Sequence, residues 1–334
     1  MINVAVLGYG YWGPNLVRNF QDTRDVNVTC CIDRDSERLA QVKARYPWIE
    51  TSTIYEDALK SPSIDAIAIC TPVGTHYELA RRALEHGKHV LIEKPLTKSV
   101  SEAEKLVELA ARQKLTLMVD HTFIYTGAVR KMKEIIDRGE LGFLYYFDSV
   151  RINLGLVQRD VNVIWDLAPH DISILEHLVS EEPVSVCANG ACHTGNGIEN
   201  IAYLTVYFNS GLIAHFHNNW IAPVKIRTVL VGGSKKTILY DDLETSEKVK
   251  VYDRGIDICN PEGVHDARVS YRLGDMWAPK LDTAEALRLV TAEFADCIST
   301  GRAPVTDGTS GLNVVKILEA SEMSIKHRGR EVKL

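Results

Sequence analysis

The chain has 334 residues, 46% hydrophobic and 25% charged, with a formal net charge of −6. These values fit an ordinary globular protein of two domains, and the acidic balance without a clustered basic stretch argues against a nucleic-acid partner. No apolar run approaches the roughly 20 residues that span a bilayer, and the N-terminus enters a strand with no basic leader or cleavage site, so the expected location is cytoplasmic.

The elements begin at once. Ile2 to Leu7 is an apolar run, followed by Gly8-Tyr9-Gly10-Tyr11-Trp12-Gly13, a helix-compatible stretch, and a second apolar run from Val26 to Ile32 that ends on Asp33. Gly8 permits a tight turn, Gly10 lets the backbone approach a pyrophosphate, and Gly13 lets the helix pack close to the strand. The helix N-terminus offers N–H groups and its dipole to phosphates. Asp33 lies where a carboxylate can accept both ribose hydroxyls of an adenosine. Without these flanking elements the glycines would mark no more than a chain reversal.

The alternation continues. Ser36 to Tyr46 predicts a helix capped by Ser36, Ile54 to Lys60 a short helix, and Ala66 to Cys70 a buried strand ending in Thr71-Pro72. Thr75 to His86 predicts a helix with Gly87 beyond its end. His89 to Ile92 is a strand leading into Glu93-Lys94-Pro95. Ser101 to Lys114 is a helix, with Ser101 and Glu104 spaced as a capping box, and Leu115 to Val119 a further strand. Strand and helix alternating in this way predict a doubly wound parallel α/β sheet over residues 1–121.

Residues 122–334 read differently. Helices are predicted at Val129 to Arg138 and Asp166 to Leu178, and a long strand at Tyr145 to Asn153. Strands follow at Val184 to Ala191, Ile201 to Phe208, Leu212 to Asn219, Ile226 to Val231, Lys236 to Tyr240 and Lys248 to Tyr252. Helices close the chain at Glu285 to Thr300 and Leu312 to His327. Short turns such as Asn209-Ser210-Gly211 make this an α+β domain with an open, mainly antiparallel sheet. One sheet face takes helices; the other is the expected subunit interface.

Three groups fall at the carboxyl ends of the parallel strands, where ligands of open α/β sheets bind. They are Thr71-Pro72 with His76, Glu93-Lys94-Pro95, and Asp120-His121-Thr122. A lysine there can hydrogen-bond a substrate hydroxyl and favour its alkoxide; an ion pair with Glu93 or a phosphate contact is the alternative for Lys94. In the second domain stands Trp165-Asp166-Leu167-Ala168-Pro169-His170. Pro169 belongs in a first helical turn, which places His170 near a helix start, four residues from Asp166. Histidine is the usual base for an alcohol proton near neutral pH; the alternative is a capping Asp166 and a packing His170. Asp33 favours NAD over NADP, because a carboxylate repels a 2′-phosphate, while Arg34 could stack on adenine or admit NADP. The seven cysteines have no CxxC spacing, and His215 with His217 lacks a third ligand, so no metal is expected.

The glycine fingerprint, Glu93-Lys94-Pro95 and Asp166-x-x-x-His170 occur together, and that combination resembles the glucose–fructose oxidoreductase/inositol dehydrogenase (Gfo/Idh/MocA) family along essentially the whole chain. The resemblance implies a Rossmann domain, a second domain with an open sheet, a homodimer or homotetramer formed through that sheet, and hydride transfer between a sugar-like carbinol and nicotinamide. It implies Lys94, Asp166 and His170 as the catalytic set. Cofactor contacts are expected from Gly8, Gly10, Tyr11, Trp12, Gly13, Asp33, Arg34, Thr71, Pro72, His76, Glu93, Lys94 and His121. Segments around Arg151-Ile152-Asn153, Asp160 to Ile172, Trp220 to Arg227 and Tyr240 to Leu243 resemble the nucleotide-sugar branch, including enzymes that oxidise C3 of UDP-N-acetylglucosaminuronic acid or reduce 3-keto deoxysugars. Candidate substrate contacts are therefore Arg151, Asn153, Arg159, Asn162 and Trp165. A polyol or inositol-type dehydrogenase, an NAD-dependent glycosidase with transient C3 oxidation, and a non-catalytic dinucleotide-binding protein are the alternatives. Two departures stand out: many relatives carry glycine at Asp120, and Asn-Pro or His-Pro at Thr126-Gly127.

Overall fold

The computed structural model describes residues 1–155, 161–195, 197–259 and 268–334. In chain order the first eleven elements are β1 (Ile2–Leu7), α1 (Gly13–Gln21), β2 (Val26–Ile32), α2 (Ser36–Arg45), β3 (Glu50–Ser52), α3 (Tyr55–Lys60), β4 (Ala66–Ile69), α4 (His76–Glu85), β5 (His89–Glu93), α5 (Val100–Gln113) and β6 (Leu117–Asp120). Then come α6 (Gly127–Asp137), β7 (Leu144–Leu154), α7 (Val163–Leu178), β8 (Pro183–Ala191), β9 (Ile201–Phe208), β10 (Ile213–Asn219), β11 (Ile221–Gly233), β12 (Thr237–Asp241), β13 (Val249–Cys259) and β14 (Arg268–Trp277). The chain ends with α8 (Ala286–Thr300), α9 (Gly308–Lys326) and β15 (Val332–Lys333).

Two compact units result: Met1–Thr126 with Ala284–Glu319, and Gly127–Thr283 with Ala320–Leu334. A single cut near residue 121 therefore does not describe the chain, because residues 284–319 return to the first unit. Burial is the reason. Leu287, Val290 and Phe294 of α8 share one core with Leu16, Val17 and Phe20 of α1, and the Phe20 and Phe294 rings meet edge to face at 6.2 Å. This apolar stripe has no other cover in the sequence-based plan.

The first unit carries the expected parallel sheet, in the order β3-β2-β1-β4-β5-β6. Its strands finish together: Ile32, Leu7, Ile69, Ile92 and Val119 are successive register partners. The next residues of these strands are Asp33, Gly8, Cys70, Glu93 and Asp120, a single row across the sheet's carboxyl edge. Two helix starts differ from the sequence plan. Asp35, not Ser36, caps α2 by accepting from the Glu37 amide, and Ser99, not Ser101, caps α5 by accepting from the Glu102 amide. Both capping residues have the extended backbone a cap needs, directly before the first helical residue.

The second unit is built on a nine-stranded sheet, β14-β13-β12-β11-β7-β10-β9-β8-β15. Its ladders are antiparallel except β7 with β10. Strand β9 alternates strictly: Ala202, Leu204, Val206 and Phe208 are buried, while Tyr203 and Tyr207 are exposed on the other face with Ile213 of β10. The helix α7 packs against β7, β9 and β10. It starts at Val163 rather than Asp166, so Pro169 lies inside the helix, not in its first turn. The missing N–H of Pro169 leaves the Trp165 carbonyl without its intrahelical donor. Among the described residues no helix is long and apolar enough to cross a membrane.

The β1–α1 turn fixes the geometry of the carboxyl edge. Gly8 has φ +97°, and a Cβ on Gly13 would stand 2.2 Å from the Gly8 carbonyl oxygen. A Cβ on Gly10 would meet only Arg38 Nη1, at an ordinary 3.5 Å. Gly13→Ala is expected to destabilise folding by about 1–3 kcal/mol through overpacking, whereas Gly10→Ala should leave stability within about 1 kcal/mol. Chemical denaturation of the two variants checks the contrast; equal losses would refute it.

Candidate active site

Three tethers hold the glycine turn in the first unit. The Tyr9 amide donates to Asp33 Oδ2 at 2.6 Å, Cys70 Sγ donates to the Gly8 carbonyl at 2.9 Å, and Trp12 Nε1 donates to Asp120 Oδ2 at 3.2 Å. Burial pushes the Cys70 thiol well up, so it stays a neutral donor. Trp12 occupies the N-cap of α1 with no side-chain cap bond, so no capping side chain competes for the helix start, although the Asn15 amide already donates to the Trp12 carbonyl at 2.9 Å. Tyr11 is 93% exposed and stacks on Trp12. The space beside Gly10 is open, since no protein atom there forbids a side chain. These features suit a pyrophosphate at the helix start.

Asp33 closes the far side. Its Oδ1 accepts from the Asp35 amide at 2.9 Å, and Arg38 Nη1 stands 3.5 Å from Oδ2. Arg34, which the sequence offered as a residue to stack on adenine or admit NADP, is exposed; the cation beside the carboxylate is Arg38, in the first turn of α2.

At the ends of β4, β5 and β6 the expected residues gather. His76 is buried, its Nδ1 2.9 Å from the Pro95 carbonyl oxygen and its Nε2 2.8 Å from that of Thr71. The ring lies between two strand-end loops; burial favours its neutral form, which has one N–H and so donates to one of the two carbonyls. The Thr71 and Thr75 hydroxyls lie 2.7 Å apart, and Pro72 is exposed beside them. Lys94 is half-buried, its amide donating to Glu93 Oε2 at 3.2 Å, and the Lys94–Pro95 bond is cis. His121 is 1% exposed, and neither ring nitrogen has a hydrogen-bond partner among the described residues. Two orphaned polar atoms at a strand's carboxyl end are costly unless a ligand meets them. Burial, with the Lys94 charge second, pushes the His121 imidazole down to about 3.

In the second unit Asp166 and His170 lie one turn apart on α7. Trp220 Nε1 donates to Asp166 Oδ2 at 3.0 Å, and Trp220 is 1% exposed. In the sequence Trp220 stood only as the start of the segment Trp220 to Arg227, with nothing to show that it donates to Asp166. Three proposed substrate contacts have other duties. Arg151 forms a buried bidentate pair with Asp171, at 2.8 and 2.7 Å. Asn162 caps α7, accepting from the Ile164 and Trp165 amides, and donates to Glu199. Trp165 is buried, with Nε1 3.0 Å from Glu322 Oε2. Their polar groups are consumed by the scaffold because a buried charge or indole needs a partner of its own. Asn153 stays half-buried near Trp220, and Arg159 lies outside the described residues. His215 and His217 stack with Tyr203, and no group of three or more potential metal ligands occurs among the described residues.

The chain matches known proteins along most of its length. Residues 2–121 match the model "Oxidoreductase family, NAD-binding Rossmann fold", and residues 129–239 match "GFO/IDH/MocA C-terminal domain". The chain is 27% identical to UDP-N-acetylglucosamine 3-dehydrogenase of Acidithiobacillus ferrooxidans, over 94% of each chain. It is 25% identical to scyllo-inositol 2-dehydrogenase (NAD+) of Bacillus subtilis, over 94% of this chain and 91% of that one. Among solved structures, the Acidithiobacillus ferrooxidans enzyme superposes with TM-score 0.82 at 23% identity, covering 98% of both chains. GenD2 from gentamicin A biosynthesis, solved with NAD, gives 0.83 at 21% identity, covering 100% of this chain and 96% of that one.

The buried His121 ring makes a pH prediction. Its folded value lies below the unfolded value of about 6.5, so the unfolded chain binds the extra proton and stability falls as pH drops from that value towards about 3. His121→Gln should reduce the slope of unfolding free energy against pH in this window by about 1.4 kcal/mol per unit. Denaturant titrations across the window measure it; an unchanged slope would show that the ring is not held neutral.

Proposed function

The chain belongs to the Gfo/Idh/MocA oxidoreductase family, and on that premise we propose that it moves a hydride between NAD and a ring secondary alcohol of a nucleotide sugar, C3 of a UDP-N-acetylhexosaminuronate. The observation that carries the substrate class is the near full-length similarity to a UDP-N-acetylglucosamine 3-dehydrogenase. The NAD-binding Rossmann domain supplies the hydride acceptor when loaded. Asp33 at the end of β2, with its two amide donors, is the ribose-binding carboxylate.

Each protein group has a stated task. His170 accepts the hydroxyl proton as the carbinol C–H bond breaks and the carbonyl forms. Asp166 orients His170 from one turn away, its own carboxylate fixed by Trp220. Lys94 donates to the carbinol oxygen and stabilises its developing negative charge, the kind of electrostatic contribution that is usually largest. Asn153 and Arg159 are the remaining candidates for substrate polar groups. The inositol dehydrogenases among the relatives support a second reading, a free polyol in place of the nucleotide sugar.

Absorbance near 340 nm with NAD and a panel of UDP-sugars, dTDP-sugars and inositols separates the two readings. A UDP-hexosamine or its uronate should give the highest kcat/KM; preference for inositol would overturn the nucleotide-sugar assignment. His170→Asn should cost at least about 100-fold in kcat, and Lys94→Ala more than about tenfold, or 1.4 kcal/mol. Losses smaller than these would remove the residue from the reaction.

The open sheet face supports self-association. Tyr203, Tyr207 and Ile213 are 44%, 36% and 41% exposed on one side of adjacent strands, beside the stacked His215 and His217. A second copy of this chain is the proposed cover, giving a homodimer or homotetramer. Light scattering should report an oligomer for the wild type and a smaller species for Ile213→Glu; an unchanged mass would place the interface elsewhere.

A further inference from the structure

Asp120 belongs to the edge row next to Glu93, its register partner on β5. Parallel partners direct their side chains to the same sheet face, so the two carboxyls meet. Asp120 is 2% exposed. Its Oδ1 accepts from Thr122 Oγ1 at 2.7 Å and its Oδ2 from Trp12 Nε1 at 3.2 Å. Glu93 Oε2 accepts from the Lys94 amide, while Glu93 Oε1 is sealed from solvent with no donor among the described residues. Asp120 thus has two donors, and Glu93 has a buried oxygen that lacks one.

We propose that Glu93 and Asp120 share one proton, Glu93 as the acid and Asp120 as the carboxylate, and that this pair positions Trp12 in the glycine turn. Two adjacent carboxylates cannot both ionise in a buried site. The proton satisfies the orphaned Glu93 oxygen and lets Glu93 donate to Asp120. Burial pushes Glu93 well above the usual carboxylate range, the Asp120 charge adds to this, and Lys94 opposes it. Burial also raises Asp120, against hydrogen bonds from Glu93, Thr122 and Trp12. The other titratable groups near the pair are Cys70, whose own thiol is pushed up by burial and then by Glu93, Cys31, Asp120 and Asp33, and Tyr125, which burial and then several smaller charges including Asp120 hold neutral; the neutral His121 follows Asp120 in the chain. The pair therefore places one negative charge, not two, beside Lys94.

The consequence for the turn is mechanical. Trp12 caps α1 without a side-chain cap bond of its own, and its indole is fastened to β6, three strands away from β1. A charged acceptor makes that hydrogen bond stronger than a neutral one. Asp120 is thus a positioning residue for the dinucleotide cradle, acting through Trp12. This role rests on the cofactor reading given above; the shared proton does not.

Infrared difference spectroscopy of the cofactor-free, full-length protein tests the proton. At neutral pH the wild type should show a carboxylic-acid C=O stretch that Glu93→Gln lacks. In Asp120→Asn that band should titrate away at lower pH than in the wild type. Absence of a Glu93-dependent band, or an unchanged titration in Asp120→Asn, overturns the pair. Calorimetry with NADH tests the positioning. Trp12→Phe and Asp120→Ala should each weaken binding roughly threefold to tenfold, and the double variant should lose no more than the larger single loss. Additive losses overturn the link through Trp12, and circular dichroism of each variant identifies any that fails to fold. If the wild type binds no dinucleotide at all, the cofactor reading fails while the infrared result stands by itself.

Discussion

Everything at the carboxyl edge of the first unit depends on how closely the α1 backbone approaches β1. Only a residue without Cβ can place its Cα so near the Gly8 carbonyl, and only with Gly8 at positive φ does the chain turn sharply enough to bring it there. Once this approach is made, the start of α1 lies over the sheet end. Its amides can then serve an anion, and the turn can be tethered to β2, β4 and β6. These tethers come from Asp33, Cys70 and Asp120, three members of the row that follows the last common register of the strands. The row exists because the strands end in register; the tethers exist because the row faces the turn.

The second unit shows a different constraint, the cost of burying charge. Arg151 and Asp171 are both nearly inaccessible, and each is tolerated because the other is present with two parallel hydrogen bonds. Such a pair contributes little net stability compared with an apolar pair of similar size, but removing one partner leaves an uncompensated charge. The arginine is therefore committed to α7, the helix that carries Asp166 and His170. Its contribution to the site is to hold that helix on the sheet. Asn162 and Trp165 act in the same sense, one capping the helix and the other bonding to Glu322.

Most of the architecture was legible in local pattern. Continuous apolar runs gave the parallel strands, and the hairpin between β9 and β10 followed from Asn209-Ser210-Gly211. Short edge elements such as β3 and β15 carry too few residues for periodicity to register. Helix starts slipped by one to four residues, in α2 and α5 because several polar residues in sequence can cap and the backbone chooses among them. The return of α8 to the first unit was illegible because an amphipathic stripe shows that it must be covered without saying by what. The position of the candidate residues at strand ends was legible as a group, since topology alone places them. What each polar atom does there was not legible: His76 lies between two carbonyls, Arg38 stands beside Asp33, and Trp12 reaches Asp120 across more than a hundred residues of sequence. Those pairings arise from three-dimensional proximity between residues that no spacing rule connects.

The row also raises an electrostatic question that its own contacts answer. Asp33, Glu93 and Asp120 set three carboxyls along one sheet edge, and a dinucleotide brings an anionic pyrophosphate to the same edge. Fully ionised and unopposed, they would repel it. Asp33 has two amide donors and Arg38 beside it, which offset its charge while leaving oxygen lone pairs for ribose hydroxyls. Glu93 and Asp120 hold a proton between them, and the remaining charge is bound by Thr122 and Trp12. The α1 terminus and Lys94 then supply the positive side of the edge. An aspartate at position 120 is compatible with anion binding because its neighbour is an acid that can stay protonated; with a neighbour unable to hold a proton, the same aspartate would add an opposed charge to the cradle it helps to fix.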